Sequence, residues 1–239
     1  MKNFAFVQHL LSTLAIVMCI TIWGLAAAPG AAFLLYLVED TASLELWIRA
    51  IILGLGGGVA YLLWGIFTFL IIGSFGIIVR PRLPDARVPL KSAITIRWAF
   101  FSLLHRLAKP FLAQVIPSWI ANVYYSMMGC KIGSGAQLNS TNVNDCFMVS
   151  IGEETIIGGS AEINGHIVEK DELVLSPIII GKGCVIGANS LIMPGCVIGD
   201  GAILAGNAVL TKYSEIPAGE IWGGVPAQCI RLADGSKPE

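Results

Sequence analysis

Three histidines are the side chains of this chain best suited to exchange a proton near neutral pH. His9 lies at the edge of an apolar segment. His105 lies where basic and apolar residues mix, which favours a side chain that reaches toward a membrane surface. His166 differs, because an irregular stretch beginning at Glu169 follows it directly. Two interpretations of His166 stay open: a general base, or a surface histidine without a role.

A histidine that acts as a base needs a partner that orients the ring through its other nitrogen. Glu169, three residues later, and Asp145, earlier in the chain, are the candidates. Each is equally compatible with a solvated or turn-capping carboxylate. The six cysteines show no CxxC pair and no metal-ligand spacing, so we expect reduced thiols and no metal site.

A short repeat must position these residues. An aliphatic residue, usually followed by a small one, recurs every six residues with few interruptions between Ile132 and Ile216. Six matches no helical period, but it suits a short strand plus a turn, and three such units close a coil. Stacked coils would lie about 4.8 Å apart. The pattern predicts a parallel β-helix. An antiparallel β domain would need hairpin signals, and Asn164-Gly165 is the only pair of that kind. The aliphatic positions are Ile132, Leu138, Ile151, Ile157, Ile163, Ile180, Ile186, Ile192, Ile198 and Leu204.

A second pattern supports the coil. The residue two positions before each aliphatic residue is small and is expected to face inward. The residue directly after each aliphatic residue is expected at a corner, where glycine tolerates positive φ. Ser150 reads as one extra residue, and Glu169–Ile179 as a loop that leaves the coil. The small inward residues are Ala136, Thr155, Ala161, Cys184, Ser190, Cys196, Ala202 and Ala208.

Composition separates the first third of the chain from the rest. The chain is 55% hydrophobic with a net charge of −1, which makes no electrostatic case for a nucleic-acid partner. Val7–Val38 and Leu46–Val79 each exceed the roughly 20 residues that cross a bilayer, so 1–80 is predicted to be a transmembrane helical hairpin. Buried soluble helices are the alternative, and Pro29 or Gly56–Gly58 could kink or break either helix.

Flanking charge predicts the orientation. Acidic residues lie between the two apolar segments, and basic residues such as Arg80 and Arg82 follow the second. Basic residues stay on the cytoplasmic side, so we expect a multi-pass protein of the inner (plasma) membrane with both termini and the β-helix cytoplasmic.

Residues 81–129 are predicted to be an amphipathic helical linker at the membrane interface. Arg97, Arg106 and Lys109 supply its charge, and Pro110 and Pro117 are expected to break it. A third span is the alternative, but it would bury several charges. The β-helix is expected over 130–222, followed by a tail over 223–239.

The repeats, with Gly223-Gly224-Val225-Pro226-Ala227 near the end, resemble the hexapeptide-repeat acyltransferases. The resemblance implies a left-handed β-helix, a homotrimer with sites between subunits, acyl-CoA (foremost acetyl-CoA) as co-substrate without a metal, and one histidine as base. A narrower resemblance covers roughly residues 80–230. This segment is similar to the membrane-linked terminal region of polylysine-synthetase-type nonribosomal peptide synthetases and to stand-alone relatives of that region. The motifs that carry the resemblance are Arg80, Pro89-Leu90, Arg97-Trp98, Gly129–Gly133, Asp145 and His166–Glu169.

The resemblance also implies residues for the co-substrate. Gly206-Asn207 matches the segment along the pantetheine arm, and Lys212 and Arg231 are candidates for the CoA phosphates or else exposed charges. Backbone N–H groups of Gly187 and Gly206 are candidates for stabilising an oxyanion. Gly224, Pro226 and Ala227 belong to the terminal signature.

Two functions stay open. One is a membrane-anchored acyltransferase that moves an acyl group from acyl-CoA to a hydroxyl or amine of a lipid-linked or membrane-proximal acceptor, with His166 as base. The other is a non-catalytic trimeric membrane scaffold, or an accessory domain in peptide or polysaccharide synthesis. A zinc-dependent carbonic anhydrase is excluded, because it needs three histidines around the metal and the repeat supplies only His166.

Overall fold

The computed structural model describes residues 2–79 and 85–238. The chain divides into two compact units, Met1–Ile72 and Gly73–Glu239.

Two long helices dominate the first unit. Helix α1 covers Lys2–Asp40 and helix α2 covers Leu46–Val79. Neither Pro29 nor Gly56–Gly58 interrupts them, so the possible break did not occur. The segments His9–Asp40 and Leu46–Ile78 are long and apolar enough to cross a membrane, with mean hydropathies of 2.2 and 2.1. In the most apolar 18-residue stretch of each segment, only 11% of the first and 33% of the second is buried in protein. The core helices of a soluble domain would be mostly buried.

Small residues bring α1 and α2 close together. The rings of Trp23 and Trp64 lie 6.0 Å apart. A Cβ on Gly30 would lie 2.7 Å from the Ala60 carbonyl oxygen, and one on Gly56 would meet the side chain of Leu37. These contacts run in opposite order along the two helices, and glycine permits the approach.

The linker contains one strand and two helices. Strand β1 covers Ala86–Pro89, helix α3 Ala93–Val115 and helix α4 Trp119–Met127. Ser92 and Ser118 cap the helices, each accepting a hydrogen bond from a backbone N–H three residues on.

The proline prediction for the linker was half right. Pro117 does separate α3 from α4. The break predicted at Pro110 was wrong, because α3 continues through it to Val115. Proline removes one helical hydrogen bond, but one face of α3 is buried on both sides of Pro110, and that packing favours a continuous helix.

Residues 131–223 form three parallel sheets that stack coil upon coil. From Ile178 onward, strands pair with partners eighteen residues away, as Ile186 does with Leu204 and Ile192 with Leu210. Earlier strands pair across the two interruptions of the count, at longer separations. The predicted coil of three hexads with parallel strands is therefore confirmed. The first sheet contains β2 (Lys131–Ile132), β5 (Val149–Ile151), β10 (Ile178–Ile180), β13 (Val197–Ile198) and β16 (Glu215–Ile216). The second contains β3 (Gln137–Leu138), β6 (Ile156–Ile157), β11 (Val185–Ile186), β14 (Ile203–Leu204) and β17 (Ile221–Gly223), with β18 (Gln228–Arg231) added antiparallel. The third contains β4 (Val143–Asn144), β7 (Glu162–Asn164), β12 (Leu191–Ile192) and β15 (Val209–Leu210).

The interior of the coil agrees with both patterns. Apart from Ile132, which is partly exposed, the aliphatic positions are at most 3% exposed, and all eight small positions are buried. The thiols of Cys184 and Cys196 therefore fill the core, as predicted. Burial raises the pKa of both thiols, that of Cys196 to about 11, which keeps them unreactive.

The expected reason for glycine at the corners was wrong. The residue after each aliphatic does not take positive φ; that conformation falls two residues later, at positions such as Gly183 and Asn207. Glycine is needed for close approach instead. A Cβ on Gly187 would lie 2.2 Å from the backbone nitrogen of Gly206 in the next coil. Each turn therefore needs a small residue directly after the aliphatic one and a residue with left-handed backbone two positions later.

Two interruptions break the count, and both differ from the prediction. Ser150 is not extra, because it pairs within the first sheet with Lys131 and Ile179. The added residues lie just before it, in a 3₁₀ turn over Cys146–Met148 that follows Asp145. The loop expected over Glu169–Ile179 is a hairpin of β8 (His166–Glu169) and β9 (Glu172–Leu175), and β1 pairs with its outer edge.

Candidate active site

His166 is the first residue of the hairpin and lies directly after Gly165, which ends the third-sheet segment. Its Nδ1 lies 2.5 Å from Oδ2 of Asp145, and its side chain is about one-quarter exposed, at 27%. Because an ionised carboxylate can only accept, the neutral form of the ring that suits this contact carries its proton on Nδ1 and its lone pair on Nε2. This is the tautomer that a general base requires.

Asp145 belongs to the third sheet's interruption one coil earlier. Its backbone is left-handed, with φ 55°, a conformation that aspartate tolerates better than most residues. Its side chain is only 1% exposed. Both oxygens are engaged, because Oδ1 accepts a hydrogen bond of 2.7 Å from the indole Nε1 of Trp98. Gly165 adjoins the carboxylate closely, since a Cβ there would lie 3.1 Å from Cβ of Asp145.

Trp98 comes from helix α3, outside the repeat. Its ring centroid lies 4.5 Å from that of His166, with the planes tilted by 52°. The indole therefore orients Asp145 through its N–H and packs beside the imidazole. From the sequence, Trp98 had no role of its own within the predicted interfacial linker. Its place in the Arg97-Trp98 motif was the one signal that could have found it.

Glu169 has other partners than His166. It binds Lys212 and Arg87, and Arg87 Nε also contacts Glu172 at 2.7 Å. The hydrogen bond from Lys212, followed by the charges of Lys212 and Arg87, holds the pKa of Glu169 below its usual value. Of the two carboxylates proposed to orient His166, the structure therefore brings Asp145 to the ring and uses Glu169 to tie the hairpin to β1 and to the coil.

A cavity of about 300 Å³ opens beside His166. Helix α3 supplies half of its lining. Lys109 donates to Oδ1 of Asn144 at 2.9 Å and to Oδ1 of Asn142 at 3.3 Å. The Asn144 amide donates to Asn164 in the neighbouring coil at 2.7 Å. The lining residues are Trp98, Ser102, His105, Arg106, Lys109, Asn144, Asp145, Glu162, Asn164 and His166.

Sequence reasoning missed this polar wall. The available signal was asparagine in place of the usual small residue after the aliphatic position, at Asn144 and again at Asn164. These two residues are register partners in the third sheet. An amide at the same place in consecutive coils is a ladder that the hexad period itself does not require.

The placement of His105 corrects the expectation that it reaches toward a membrane surface. It is 4% exposed, and its Nδ1 lies 3.0 Å from the hydroxyl of Tyr124. Burial, assisted by the charge of Lys109, lowers the pKa of His105 to about 3. Among the described residues, neither Nε2 of His105 nor Oγ of Ser102 has a hydrogen-bond partner.

The predicted co-substrate residues lie at other corners of the coil. Gly187, Gly206 and Asn207 share the turn from the second to the third sheet, where the Asn207 N–H donates to the Ala188 carbonyl at 2.9 Å. His166 follows the third sheet. The two sets therefore follow different sheets, and among the described residues no hydrogen bond joins that turn to His166. Lys212 alone reaches the hairpin, through Glu169.

The terminal signature closes the coil. Gly224 has φ 94°, and the peptide bond before Pro226 is cis. The Ala227 N–H donates to the Val209 carbonyl at 2.8 Å, which stacks the signature on the third sheet. Arg231 ends β18 and is exposed. Within 9–78 and 85–238, no group of three or more His, Cys, Asp or Glu side chains could hold a metal ion.

Comparison with known proteins finds a family match within one segment of the coil. Residues 177–212 match the family described as bacterial transferase hexapeptide (six repeats). The chain thus resembles the hexapeptide-repeat transferases in this segment. It is also 24% identical over 148 residues to the delta-poly-L-ornithine synthetase of Acinetobacter baumannii (strain AB307-0294). That match covers 62% of this chain but only 11% of the synthetase, and it confirms the resemblance to synthetases of the poly(amino acid) type.

Several solved structures are similar to the chain. A hexapeptide-repeat acetyltransferase of Vibrio cholerae is 20% identical, covering 60% of this chain and 94% of its own, with a TM-score of 0.49. The same protein complexed with acetyl coenzyme A is 20% identical, covering 60% of this chain and 91% of its own, with a TM-score of 0.48. A maltose O-acetyltransferase of Clostridium difficile 630 is 14% identical over 65% of this chain and 94% of its own, with a TM-score of 0.44.

Proposed function

We propose that the protein is a membrane-anchored acyltransferase that uses acyl-CoA. The observation that carries the proposal is the pair of His166 and Asp145. Asp145 holds Nδ1 of His166 and leaves Nε2 free as a base beside a cavity that could admit an acceptor. The match to hexapeptide-repeat transferases and the acetyltransferases among the similar structures support this reading.

The reaction follows from that geometry. Nε2 of His166 removes the proton of an acceptor hydroxyl or amine as its oxygen or nitrogen attacks the thioester carbonyl carbon. The negative charge that develops on the carbonyl oxygen is stabilised by backbone N–H groups, for which Gly187 and Gly206 are the candidates. The C–S bond then breaks, and the imidazolium of His166 returns the proton to the CoA thiolate. Asp145 stabilises the positive ring throughout.

The donor site requires a neighbouring subunit in this proposal. One chain places His166 after the third sheet and Gly206-Asn207 before it. A left-handed homotrimer, as the resemblance implies, would set the glycine turn of one subunit beside His166 of the next. Asn207 and the segment Gly224–Ala227 would then line the pantetheine arm, and Lys212 and Arg231 would meet the phosphates. Acetyl-CoA is the expected donor, because the Vibrio cholerae relative is complexed with it.

Membrane anchoring rests on α1 and α2. Both are long and apolar enough to span, and basic residues follow the second. We propose an inner-membrane protein with the coil cytoplasmic, where acyl-CoA is available. An anchor of this kind favours an acceptor that is lipid-linked or otherwise close to the membrane, and the synthetase relative makes a peptide-synthesis product one candidate. Salt and carbonate extraction of membranes tests the anchor, since a spanning protein stays in the pellet.

The test is CoA release from acetyl-CoA by the full-length chain in detergent. We expect turnover that falls by about 10²–10⁴-fold in His166→Ala and strongly in Asp145→Asn, where the ring loses its orienting charge. His9→Ala is the matched control and should retain full activity. Turnover that survives in His166→Ala would reject the base. If the natural protein shows no turnover and no CoA-dependent thermal shift, the scaffold function is favoured. The mass of the solubilised particle tests the trimer.

A further inference from the structure

Helix α3 presents a polar stripe to the cavity beside His166. Trp98, Ser102, His105 and Lys109 are spaced by four, three and four residues, so they lie on one face of the helix. All four line the cavity, and Arg106 joins them at its edge. Trp98 is explained by its hydrogen bond to Asp145. The other members have no part in orienting His166 and need a different explanation.

Lys109 is a half-buried ammonium without a close counterion. Its partners are the neutral amide oxygens of Asn142 and Asn144. Among the described residues, no carboxylate lies within 4.0 Å of its Nζ; Glu162 and Asp145 influence it only from further away. Burial is the largest effect on this charge and lowers the pKa of Lys109. An ammonium has three donors, so one N–H stays available for a ligand.

Two more polar atoms on the stripe are buried and unpartnered. They are Nε2 of His105 and Oγ of Ser102, neither of which meets a partner among the described residues. The phenol of Tyr124 stays protonated, because burial raises its pKa well above the usual range. Tyr124 donating to Nδ1 would leave the ring proton of His105 on Nε2, as a second donor. Buried unpaired polar groups are costly, so their retention at a cavity wall points to a ligand.

We propose that this stripe binds a phosphate group carried by the acceptor. Lys109, the Ser102 hydroxyl, His105 Nε2–H and the Arg106 guanidinium together offer donors and positive charge for anionic oxygens. An amine fits less well, because both oxygens of Asp145 are engaged and Glu162 is exposed and bonded to Asn164. The acceptor role of the ligand rests on the proposed function, whereas its binding does not. The phosphate can belong to a soluble compound or to a lipid headgroup.

Binding without any CoA tests the proposal on the full chain in neutral detergent. One arm titrates sn-glycerol 3-phosphate against glycerol by calorimetry. The second compares phosphatidic acid with diacylglycerol in mixed micelles by thermal shift. We expect a response to the phosphate member of at least one pair and not to its neutral partner, and the stronger arm identifies the source. Lys109→Gln should weaken binding of the phosphate compound by roughly tenfold or more.

Two controls keep the result interpretable. Lys131→Gln removes the same charge from an exposed strand residue outside the cavity lining and should leave binding unchanged. Arg106→Gln changes an exposed residue, so it should fold even if Lys109→Gln does not, and it should weaken binding severalfold. No phosphate-dependent response, or a response that Lys109→Gln and Arg106→Gln leave intact, overturns the proposal. CoA release dependent on His166 would still stand in that case, so the two proposals fail separately.

Discussion

The indole of Trp98 and the imidazole of His166 lie 4.5 Å apart, although one belongs to helix α3 and the other to a hairpin of the coil. Both side chains donate to the same carboxylate, that of Asp145. The candidate base is therefore held by an element that precedes the repeat. The linker is part of the candidate site and not merely a spacer.

Trp98→Phe should lower kcat by roughly tenfold with little change in the acceptor KM. The substitution keeps an aromatic face beside His166 but removes the N–H that fixes Oδ1 of Asp145, a loss of about 1.5–3 kcal/mol for a hydrogen bond to a charged group. Steady-state CoA release measures both constants. Trp119→Phe is the matched control, since Trp119 is 74% exposed on α4. Equal losses in the two variants would argue against a positioning role for Trp98.

Gly165→Ala should reduce activity more than stability. The new Cβ would lie 3.1 Å from Cβ of Asp145 and 3.2 Å from Cβ of Met148, so the Asp145 turn must shift by a few tenths of an ångström. Displacements of that size matter at a pair with the proposed catalytic role, and we expect about a tenfold fall in kcat. Gly159→Ala meets no atom within 4 Å and serves as control. A fully active Gly165→Ala enzyme would contradict the tight coupling of Gly165 to Asp145.

Gly187→Ala should destabilise the coil. Its Cβ would fall 2.2 Å from a backbone nitrogen of the next coil, which no side-chain adjustment relieves. We expect a cost of about 1–3 kcal/mol and a melting temperature lower by several degrees. Gly206→Ala is the comparison, because its nearest neighbour is 3.2 Å away and its cost should be clearly smaller. Equal melting temperatures would show that neighbouring coils can separate locally.

The buried His105 should make the linker sensitive to mild acid. Its pKa is about 3 in the folded protein against 6.5 in the unfolded chain, so the unfolded state binds the extra proton as the pH falls below 6.5. Its neutral form contributes stability above pH 6.5, and each unit of acidification below that removes about 1.4 kcal/mol, down to the folded pKa. The groups around it are Lys109, which opposes the charge, Asp145, which favours it, and the neutral Tyr124, Tyr125 and Cys146.

Thermal unfolding at pH 7.5, 6.5 and 5.5 measures this effect. We expect the natural protein to lose stability between pH 6.5 and 5.5, and His105→Gln to lose less over the same interval, although it starts from a lower value. His9→Gln, at the other end of the chain, should follow the natural pH profile. Parallel profiles for His105→Gln and the natural protein would contradict the buried, neutral histidine.

Periodic features could be predicted because a period is a local property of the sequence. The hexad beat predicted parallel strands, an eighteen-residue coil and a core of aliphatic and small residues, down to Cys184 and Cys196. Departures from the period were located less well. The extra residues were assigned to Ser150, but they lie in the turn after Asp145. A count shows that a register shifts between two strands, while packing decides which residues bulge.

The sequence by itself determined the architecture and singled out His166 as the one repeat histidine beside an irregular segment. It left Asp145 and Glu169 as equal partners, and it assigned Trp98, His105 and Lys109 to a membrane-surface helix. Only the tertiary structure decided between the two carboxylates and brought the linker residues to the candidate site, because it places Asp145 one coil before His166 and packs helix α3 against both. The physical reason is distance along the chain: 47 residues separate Trp98 from Asp145, and no local pattern reports a contact of that span.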